Sequence, residues 1–180
     1  MDGIIGCAPF AHKMCGHIAK FSRAILPGRR TIKMESDAVA AMEQRIGLDF
    51  DHACELLLKT RGRVIVTGMG KSGHIARKIA ATLASTGTPS FFVHPGEASH
   101  GDLGMVKDSD VVLLLSNSGE SEEIMTIVPA LKRQGNRIIA MTGRADSTLG
   151  TAAEMILDIS VEREACPHNL APTASTTHTH

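Results

Sequence analysis

The sequence predicts an α/β fold, a doubly wound five-stranded parallel sheet with helices on both faces. Five short runs rich in Val, Ile and Leu are continuously apolar rather than alternating, a pattern typical of strands buried on both faces. Helical stretches separate the first four runs, and such alternation with short connections favours a parallel sheet. The runs are "RVIVTG", "SFFVH", "DVVLLLS", "NRIIAMTG" and "EMILDIS".

Apolar residues at helical spacing predict the elements around these strands. Two helices precede the first strand, in "MESDAVAAMEQRIGLDF" and "DHACELLLKTRG", and Gly62 closes the second. Further helices are predicted in "GHIARKIAATLAST" and "EEIMTIVPALKRQG", with a weaker one in "DSTLGTAA" and a loop-rich connection in "PGEASHGDLGMV". Residues 1–29 are predicted to form an irregular leader, and residues 30–180 the domain.

Composition excludes several classes of function. The 19 basic residues balance 19 acidic ones, so no global field favours nucleic acid or membrane. With five Phe and no Trp or Tyr, the chain has little to stack on single-stranded bases. The amino-terminal residues do not form a secretory leader, and no run approaches the ~18 apolar residues of a membrane span. We expect a reduced, cytoplasmic protein with no nucleic-acid or membrane partner.

Two segments resemble nucleotide-binding motifs, but each lacks a residue that its motif requires. "GMGKSG" (68–73) spells G-x-G-x-x-G after a strand, but a dinucleotide site also wants an acid after the second strand, where His94 stands. A P-loop would need its first glycine at the position of Ile65, inside the strand. The amino-terminal Cys7, His12, Cys15 and His17 match no zinc spacing either.

Hydroxyl groups gather where the third strand meets a helix, in "SNSGES" (116–121). A helix amino terminus offers unpaired N–H groups and about half a positive charge, which favours a phosphate. Ser116, Ser118 and Ser121 can add hydrogen bonds, and Gly119 allows close approach of the backbone. Ser72 is expected to reach in from the first junction. The alternative is that Ser118 is an ordinary helix N-cap.

At this point the chain resembles a known family. "GRVIVTGMGKSGHIARKIAATLASTGTPSFFVHPGEASHGDLGMV", "SNSGES", "EACP" and "LAPTASTT" are similar to the sugar isomerase (SIS) domain of arabinose-5-phosphate isomerases, over residues of about 30 to 177. The resemblance implies interconversion of D-ribulose 5-phosphate and D-arabinose 5-phosphate through an enediolate, in the pathway to the lipopolysaccharide sugar Kdo. It also implies a homo-oligomer that binds a sugar phosphate and requires no cofactor.

Such an isomerisation needs a base near C1 and C2, a proton shuttle between the oxygens, and positive charge for the oxyanion. The resemblance implies that Lys71, Glu123 and Glu164 are catalytic and that His94 can bind an inhibitory zinc ion. Which carboxylate is the base stays open. Substrate contacts are implied for Ser72, Gly87, Thr88, His100, Ser116, Asn117, Ser118 and Ser121.

The chain departs from the family after "APTASTT", where relatives continue into a long helix, a further catalytic histidine and often a pair of CBS modules. We therefore expect a domain that lacks its C-terminal helix, exposes an apolar surface of the sheet, and has weak isomerase activity or none. Two alternatives remain: a non-catalytic module that senses a sugar phosphate, and an inactive truncated remnant.

Overall fold

All five predicted strands form. The computed structural model describes the backbone of residues 9–166, 168 and 171–179, with side chains from residue 24 onward. The strands pair in parallel in the order 2-1-3-4-5. This order is doubly wound: the second strand is added on one side of the first, and the third, fourth and fifth strands are added on the other side, so the switch point lies between the first and third strands. They are β1 (Val64–Gly68), β2 (Ser90–Phe92), β3 (Val111–Leu115), β4 (Arg137–Thr142) and β5 (Met155–Asp158).

Helices fill most of the remaining chain, with 3-10 turns at Glu43–Arg45 and Asp102–Met105. None of those described combines the length and apolar character that a membrane crossing requires. The helices are α1 (Pro9–Met42), α2 (Leu48–Lys59), α3 (Gly70–Ser85), α4 (Pro95–Ser99), α5 (Glu122–Gln134), α6 (Thr148–Ala152) and α7 (Ala174–Thr179).

The sheet is covered on both faces, as predicted. Ile65 and Leu114 point to one face, where they pack in a core with residues of α4, α5 and α6. Val66 and Leu115 point to the other face and pack with α2 and α3. Successive strand residues therefore enter different cores, which explains why each strand is continuously apolar.

The buried carboxylate of Asp110 fixes the starts of β1 and β3 relative to each other. Asp110, immediately before β3, accepts hydrogen bonds from the backbone N–H of Arg63 (2.8 Å), from Arg63 Nη2 (2.7 Å) and from the backbone N–H of Lys107 (2.9 Å). Burial acts to raise the pKa of Asp110, but the Arg63 guanidinium and these N–H groups outweigh it and lower that pKa. Because β1 and β3 start level, their carboxyl ends also lie side by side.

The prediction that residues 1–29 form an irregular leader is wrong for the part of this segment that the structure describes. The backbone of residues 9–29 belongs to α1, which continues through the expected domain boundary to Met42. Pro27 and Gly28 both lie inside this helix. Residues 1–8 lie outside the described residues.

The expected exposed sheet surface is also not found. Among the described residues, the large exposed apolar side chains lie on α1, on α2, between these helices and at Met105, and none lies in a strand. At the sheet edge α2 packs against β5, while α7 packs against α1 and α3. The sheet is thus covered by helices that precede it in sequence as well as by those that follow.

Candidate functional site

Two strand–helix junctions adjoin at the carboxyl edge of the sheet. Gly68 ends β1 and pairs with Leu115 at the end of β3, so the loops into α3 and α5 start side by side. A cavity of about 230 Å³ lies there. Its walls come from both junctions and from the C-terminal segment, and comprise Met69, Lys71, Ser72, Ile75, Asn117, Pro172, Ser175, Thr176 and Thr179.

The first junction brings α3 unusually close to β1. A Cβ at Gly73 would lie 2.6 Å from the carbonyl oxygen of Gly68, so that glycine serves packing between helix and strand. Lys71 is exposed and Ser72 is half-buried on the first turn of α3. Met69 occupies the N-cap position and provides no side-chain hydrogen bond to the helix. The N–H groups at this terminus therefore have no side-chain cap.

The second junction is the serine loop, residues 116–121. Ser116 is buried, and its hydroxyl lies 2.8 Å from Ser121 Oγ and accepts from the backbone N–H of Gly119 at 3.1 Å. Ser118 Oγ accepts from the backbone N–H of Glu120 at 3.2 Å. Ser121, not Ser118, is the N-cap residue of α5, and it makes no side-chain cap bond to the helix. The loop hydroxyls thus stabilise the turn and leave the α5 terminus without a side-chain cap.

Contacts with α6 hold the serine loop in place. Glu120 accepts from the backbone N–H of Thr148 at 2.8 Å and from its hydroxyl at 2.7 Å, and both bonds lower the pKa of Glu120. Gly119 has φ +67°, and a Cβ there would lie 1.9 Å from Ser147 Oγ. The sequence analysis assigned no role to Glu120; the hydroxyl residues Ser147 and Thr148, which open the next helix, were the available signal.

Glu164 lies behind the cavity wall. Its carboxylate accepts from the backbone N–H of Thr173 (2.7 Å), from the Thr173 hydroxyl (2.8 Å) and from the backbone N–H of Ser175 (3.3 Å). Partial burial acts to raise the pKa of Glu164, but hydrogen bonds from Ser175 and Thr173 lower it overall. The carboxylate therefore ties the segment after β5 to the start of α7, whose Ser175 and Thr179 line the cavity.

Other predicted residues are spread along the same edge. Glu123 is exposed on the first turn of α5, and His100 is exposed just after α4. His94 caps α4, with Nδ1 accepting from the backbone N–H of Gly96 at 3.2 Å. Within the described residues no group of three or more His, Cys, Asp or Glu side chains is arranged to hold a metal. Zinc binding at His94 stays a prediction; the Cys7–His17 side chains lie outside those described.

Gly87 and Thr88 lie at the opposite edge of the sheet. They follow α3 and precede β2, and the adjacent Pro89 carbonyl accepts from the backbone N–H of Val64, the first residue of β1. A helix that follows one parallel strand must return the chain to the amino edge before the next. In a site formed by a single chain, Gly87 and Thr88 therefore do not lie beside the candidate cavity, and for such a site the prediction that they do is wrong.

Three larger cavities lie elsewhere among the described residues. One of about 660 Å³ is at the amino edge, beside Asp110 and Arg137, and one of about 630 Å³ lies between α1 and His178 of α7. The third, of about 470 Å³, lies beside Glu120 and Thr148. None of the three is lined by a predicted catalytic side chain. We place the candidate site in the smaller cavity because ligands of doubly wound sheets bind beyond the carboxyl ends of the strands at the switch point.

The sequence analysis did not predict that the C-terminal segment would contribute residues to the wall of that cavity. Pro172, Ser175, Thr176 and Thr179 line it, although the sequence reasoning assigned no role to them. The dense hydroxyl residues of "APTASTT" were a signal, but nothing in that segment's spacing showed which strand end it would meet.

Comparison with known proteins agrees with this geometry. The SIS domain family matches residues 56–180. The chain belongs to the SIS domain family. A solved structure with the same fold, c3406 of E. coli CFT073 in complex with arabinose 5-phosphate, superimposes with a TM-score of 0.84 at 44% identity, covering 87% of this chain and 84% of that one.

Two curated relatives of this SIS chain are named arabinose 5-phosphate isomerases. KdsD of Pseudomonas aeruginosa is 64% identical over 149 residues, which cover 83% of this chain and 46% of the relative. GutQ of Escherichia coli K12 is 54% identical over 159 residues, covering 88% of this chain and 50% of the relative. The SIS chain thus spans about half the length of these relatives.

Proposed function

We propose that this SIS domain is the catalytic domain of a sugar-phosphate isomerase that interconverts D-ribulose 5-phosphate and D-arabinose 5-phosphate. The observation that carries the proposal is the cavity in which Lys71 and Ser72 of one junction meet Asn117 of the other. The names of the curated relatives and the arabinose 5-phosphate complex of a similar structure support the choice of substrate.

The phosphate is proposed to bind between the amino termini of α3 and α5. Neither terminus carries a side-chain cap, so N–H groups of both first turns remain for an anion, favoured by the two helix dipoles. Ser72 and the exposed Ser118 supply hydroxyl donors. Ser116 and Ser121 are proposed to act indirectly, because their mutual hydrogen bond sets the shape of the loop that surrounds the phosphate.

The proposed chemistry is a proton transfer between neighbouring carbons. A carboxylate removes the proton from C2 of the aldose, the C–H electrons form the C1=C2 double bond of the enediolate, and negative charge develops on O1. The same proton returns to C1, and the proton of the O2 hydroxyl passes to O1, so that C2 becomes the ketone and C1 carries the hydroxyl. Lys71, on the cavity wall, is proposed to stabilise the charge on oxygen. No step requires a metal or a redox cofactor.

The two candidate carboxylates receive different proposed roles. Glu123 is exposed beside the α5 terminus and is proposed as the base. Glu164 binds the start of α7 through N–H and hydroxyl donors, so we assign it to positioning the C-terminal wall of the cavity.

The proposal also covers the location, assembly and pathway of the protein and the roles of two histidines. We propose a cytoplasmic homo-oligomer in the pathway to Kdo and lipopolysaccharide, with His100 near the sugar and His94 open to an inhibitory zinc ion. A sugar-phosphate sensor is the second candidate function, and it shares the phosphate site. It differs in predicting binding without turnover.

The test compares ligands and then variants. Calorimetric titration with arabinose 5-phosphate and with unphosphorylated arabinose is expected to give binding only for the phosphate ester, and equal affinity for both would remove the phosphate site. Conversion of arabinose 5-phosphate to ribulose 5-phosphate is then measured in the wild type and in Glu123→Gln. Binding of the ester without any conversion would favour the sensor over the isomerase.

A further inference from the structure

The serine loop is anchored on one side. Its backbone joins β4 and the residue that follows it, since the Ser116 N–H donates to the carbonyl of Met141 at 3.0 Å. The Gly143 N–H donates to the carbonyl of Asn117, also at 3.0 Å. Among the hydrogen bonds between described residues, none joins the loop to the first turn of α3 or to the C-terminal wall of the cavity. The orientation of the loop toward the candidate site is therefore set from the β4 and α6 side.

The first turn of α6 supplies the rest of this anchor. The backbone N–H of Leu149 donates to the carbonyl of Gly119 at 3.0 Å. The backbone N–H and the hydroxyl of Thr148 donate to the two carboxylate oxygens of Glu120 at 2.8 Å and 2.7 Å. N–H groups at the start of a helix have no partner within the helix and favour a negative charge. A carboxylate is therefore well suited to join the loop to α6.

Glu120 also lies next to the residues that form the proposed phosphate site. It follows Gly119, whose φ of +67° and close approach to Ser147 define the turn, and it precedes Ser121 at the N-cap position of α5. We propose that Glu120 is a positioning residue for the phosphate: through Thr148 it fixes the orientation of the loop and of the α5 terminus around that group. The inference rests on the proposed function, because it concerns the same site. Glu120 itself is assigned no contact with the substrate.

The charge of Glu120 acts against phosphate binding, whereas its hydrogen bonds act for it. The bonds from Thr148, first that of its backbone N–H, lower the pKa of Glu120, so the side chain is negatively charged near neutral pH. A negative charge close to an anion site repels the anion. If Glu120 acted through charge alone, its removal would strengthen phosphate binding. A positioning role predicts weaker binding when the hydrogen bonds are lost, so the sign of the effect distinguishes the two.

Two substitutions separate the hydrogen bonds from the charge. Glu120→Ala removes both, and we expect it to weaken the binding of inorganic phosphate and of arabinose 5-phosphate by roughly tenfold, the equivalent of one hydrogen bond to a charged group. Glu120→Gln removes the charge, but its amide can still accept from the Thr148 N–H and donate to the Thr148 hydroxyl. It should therefore bind both ligands at least as tightly as the wild type. Calorimetric titration of residues 1–180 measures each affinity.

Glu122→Ala is the matched control for the loss of a negative charge. Glu122 is an exposed acid in the first turn of α5, and no described residue donates a hydrogen bond to its carboxylate. Its removal should leave phosphate binding unchanged or strengthen it. Thr148→Val keeps the N–H bond to Glu120 and removes the hydroxyl bond, so it should weaken binding by less than Glu120→Ala does, and Thr148→Ser should restore it. In turnover, Glu120→Ala should raise KM with kcat nearly unchanged, since Glu120 acts on binding.

The possible outcomes separate this inference from the proposed function. If Glu120 only stabilised the fold, Glu120→Ala would lower the number of binding-competent molecules and leave their affinity for phosphate unchanged, and that result would overturn the positioning role. Weak binding by Glu120→Gln, equal to that of Glu120→Ala, would overturn it as well. Should Glu120→Ala fail to fold in urea denaturation, Thr148→Val and Thr148→Ser decide the same question. A wild type that binds neither phosphate nor arabinose 5-phosphate would overturn the proposed function and this inference together.

Discussion

The helices that follow the first four strands begin in two different ways at the carboxyl edge of the sheet. α4 and α6, which follow β2 and β4, are capped by side chains: His94 Nδ1 accepts from Gly96 N–H at 3.2 Å and Ser147 Oγ from Gly150 N–H at 3.1 Å. α3 and α5, which follow the neighbouring strands β1 and β3, have no side-chain cap. The difference matters because an uncapped helix terminus keeps N–H groups available.

The comparison distinguishes the capped junctions from the uncapped pair at which we propose that the ligand binds. A side chain that satisfies the first-turn N–H groups stabilises its helix, and so removes the reason for an anion to bind there. The two uncapped termini adjoin at the switch point of the sheet, which is where doubly wound folds bind ligands. Ser121 occupies the cap position of α5 but turns its hydroxyl to Ser116.

Lys71→Ala is expected to have the largest effect on turnover. If Lys71 stabilises charge that develops on oxygen, its loss should lower kcat by roughly a hundredfold or more, by analogy with lost oxyanion donors. Lys78→Ala is the control, because Lys78 is exposed on the same helix and bonds only to Thr82 among the side-chain contacts described. A rise in KM with unchanged kcat would instead make Lys71 a simple phosphate ligand.

Gly119→Ala is expected to damage the serine loop itself. The positive φ disfavours any residue with a Cβ, and the new atom would meet Ser147 Oγ, so we expect a loss of about 2 kcal/mol or more in the free energy of unfolding. Urea denaturation measures it. Gly104→Ala is the matched control, since a Cβ there meets nothing within 4 Å. Equal losses for both variants would contradict the packing argument.

Ser147→Ala and Ser121→Ala compare the two kinds of N-cap position directly. Ser147→Ala removes the cap of α6 and should lower stability by about 1 kcal/mol, with little change in affinity for the sugar phosphate. Ser121→Ala should weaken sugar-phosphate binding several-fold, because it loosens the turn that presents the α5 terminus. Thermal denaturation and calorimetry on the same samples provide both values. If the two variants exchange these effects, the distinction between the junctions is lost.

The smallest predicted effect is a pH dependence at the C-terminal wall. Hydrogen bonds from Ser175 and Thr173 lower the pKa of Glu164 in the folded chain, against the effect of burial. A lowered folded pKa means that this stabilisation is fully present above the ordinary carboxyl pKa near 4.5 and is lost as the pH falls through the folded value. The protection of residues 173–179 against hydrogen exchange, measured relative to the intrinsic rate at each pH, should therefore fall in acid more than that of the central strands.

The matched variant for this effect is Glu164→Gln, which keeps the shape of the side chain and removes its charge. We expect the additional acid sensitivity of the 173–179 segment to disappear, while its exchange near neutral pH becomes faster than in the wild type. If the variant retains the wild-type pH profile, another group holds α7 in place. Asp110→Asn is not a substitute, because Asp110 acts at the amino edge of the sheet.

Much of this protein could be predicted from local sequence. The five strands were predictable because burial on both faces requires unbroken apolar runs, and "VVLLL" of β3 is buried at all five positions. The position of the serine loop followed from the same logic, since a loop after a central parallel strand must lie at the carboxyl edge. In the "GMGKSG" segment Gly73 serves the close packing of α3 on β1; that no nucleotide binds there stays a prediction.

Only the tertiary structure decided what each polar side chain does there. Ser116 and Ser118 look alike in sequence, yet one is buried in the turn and the other is exposed. The sequence of Glu164 did not indicate its hydrogen bonds to Thr173 and Ser175, about ten residues further along the chain; these contacts are the basis for proposing a positioning role. Gly87 and Thr88 matched the family pattern and lie at the far edge of the sheet. Local sequence determines which residues form a strand or helix because those preferences depend on near neighbours, whereas burial and hydrogen-bond partners arise from segments that meet only after folding.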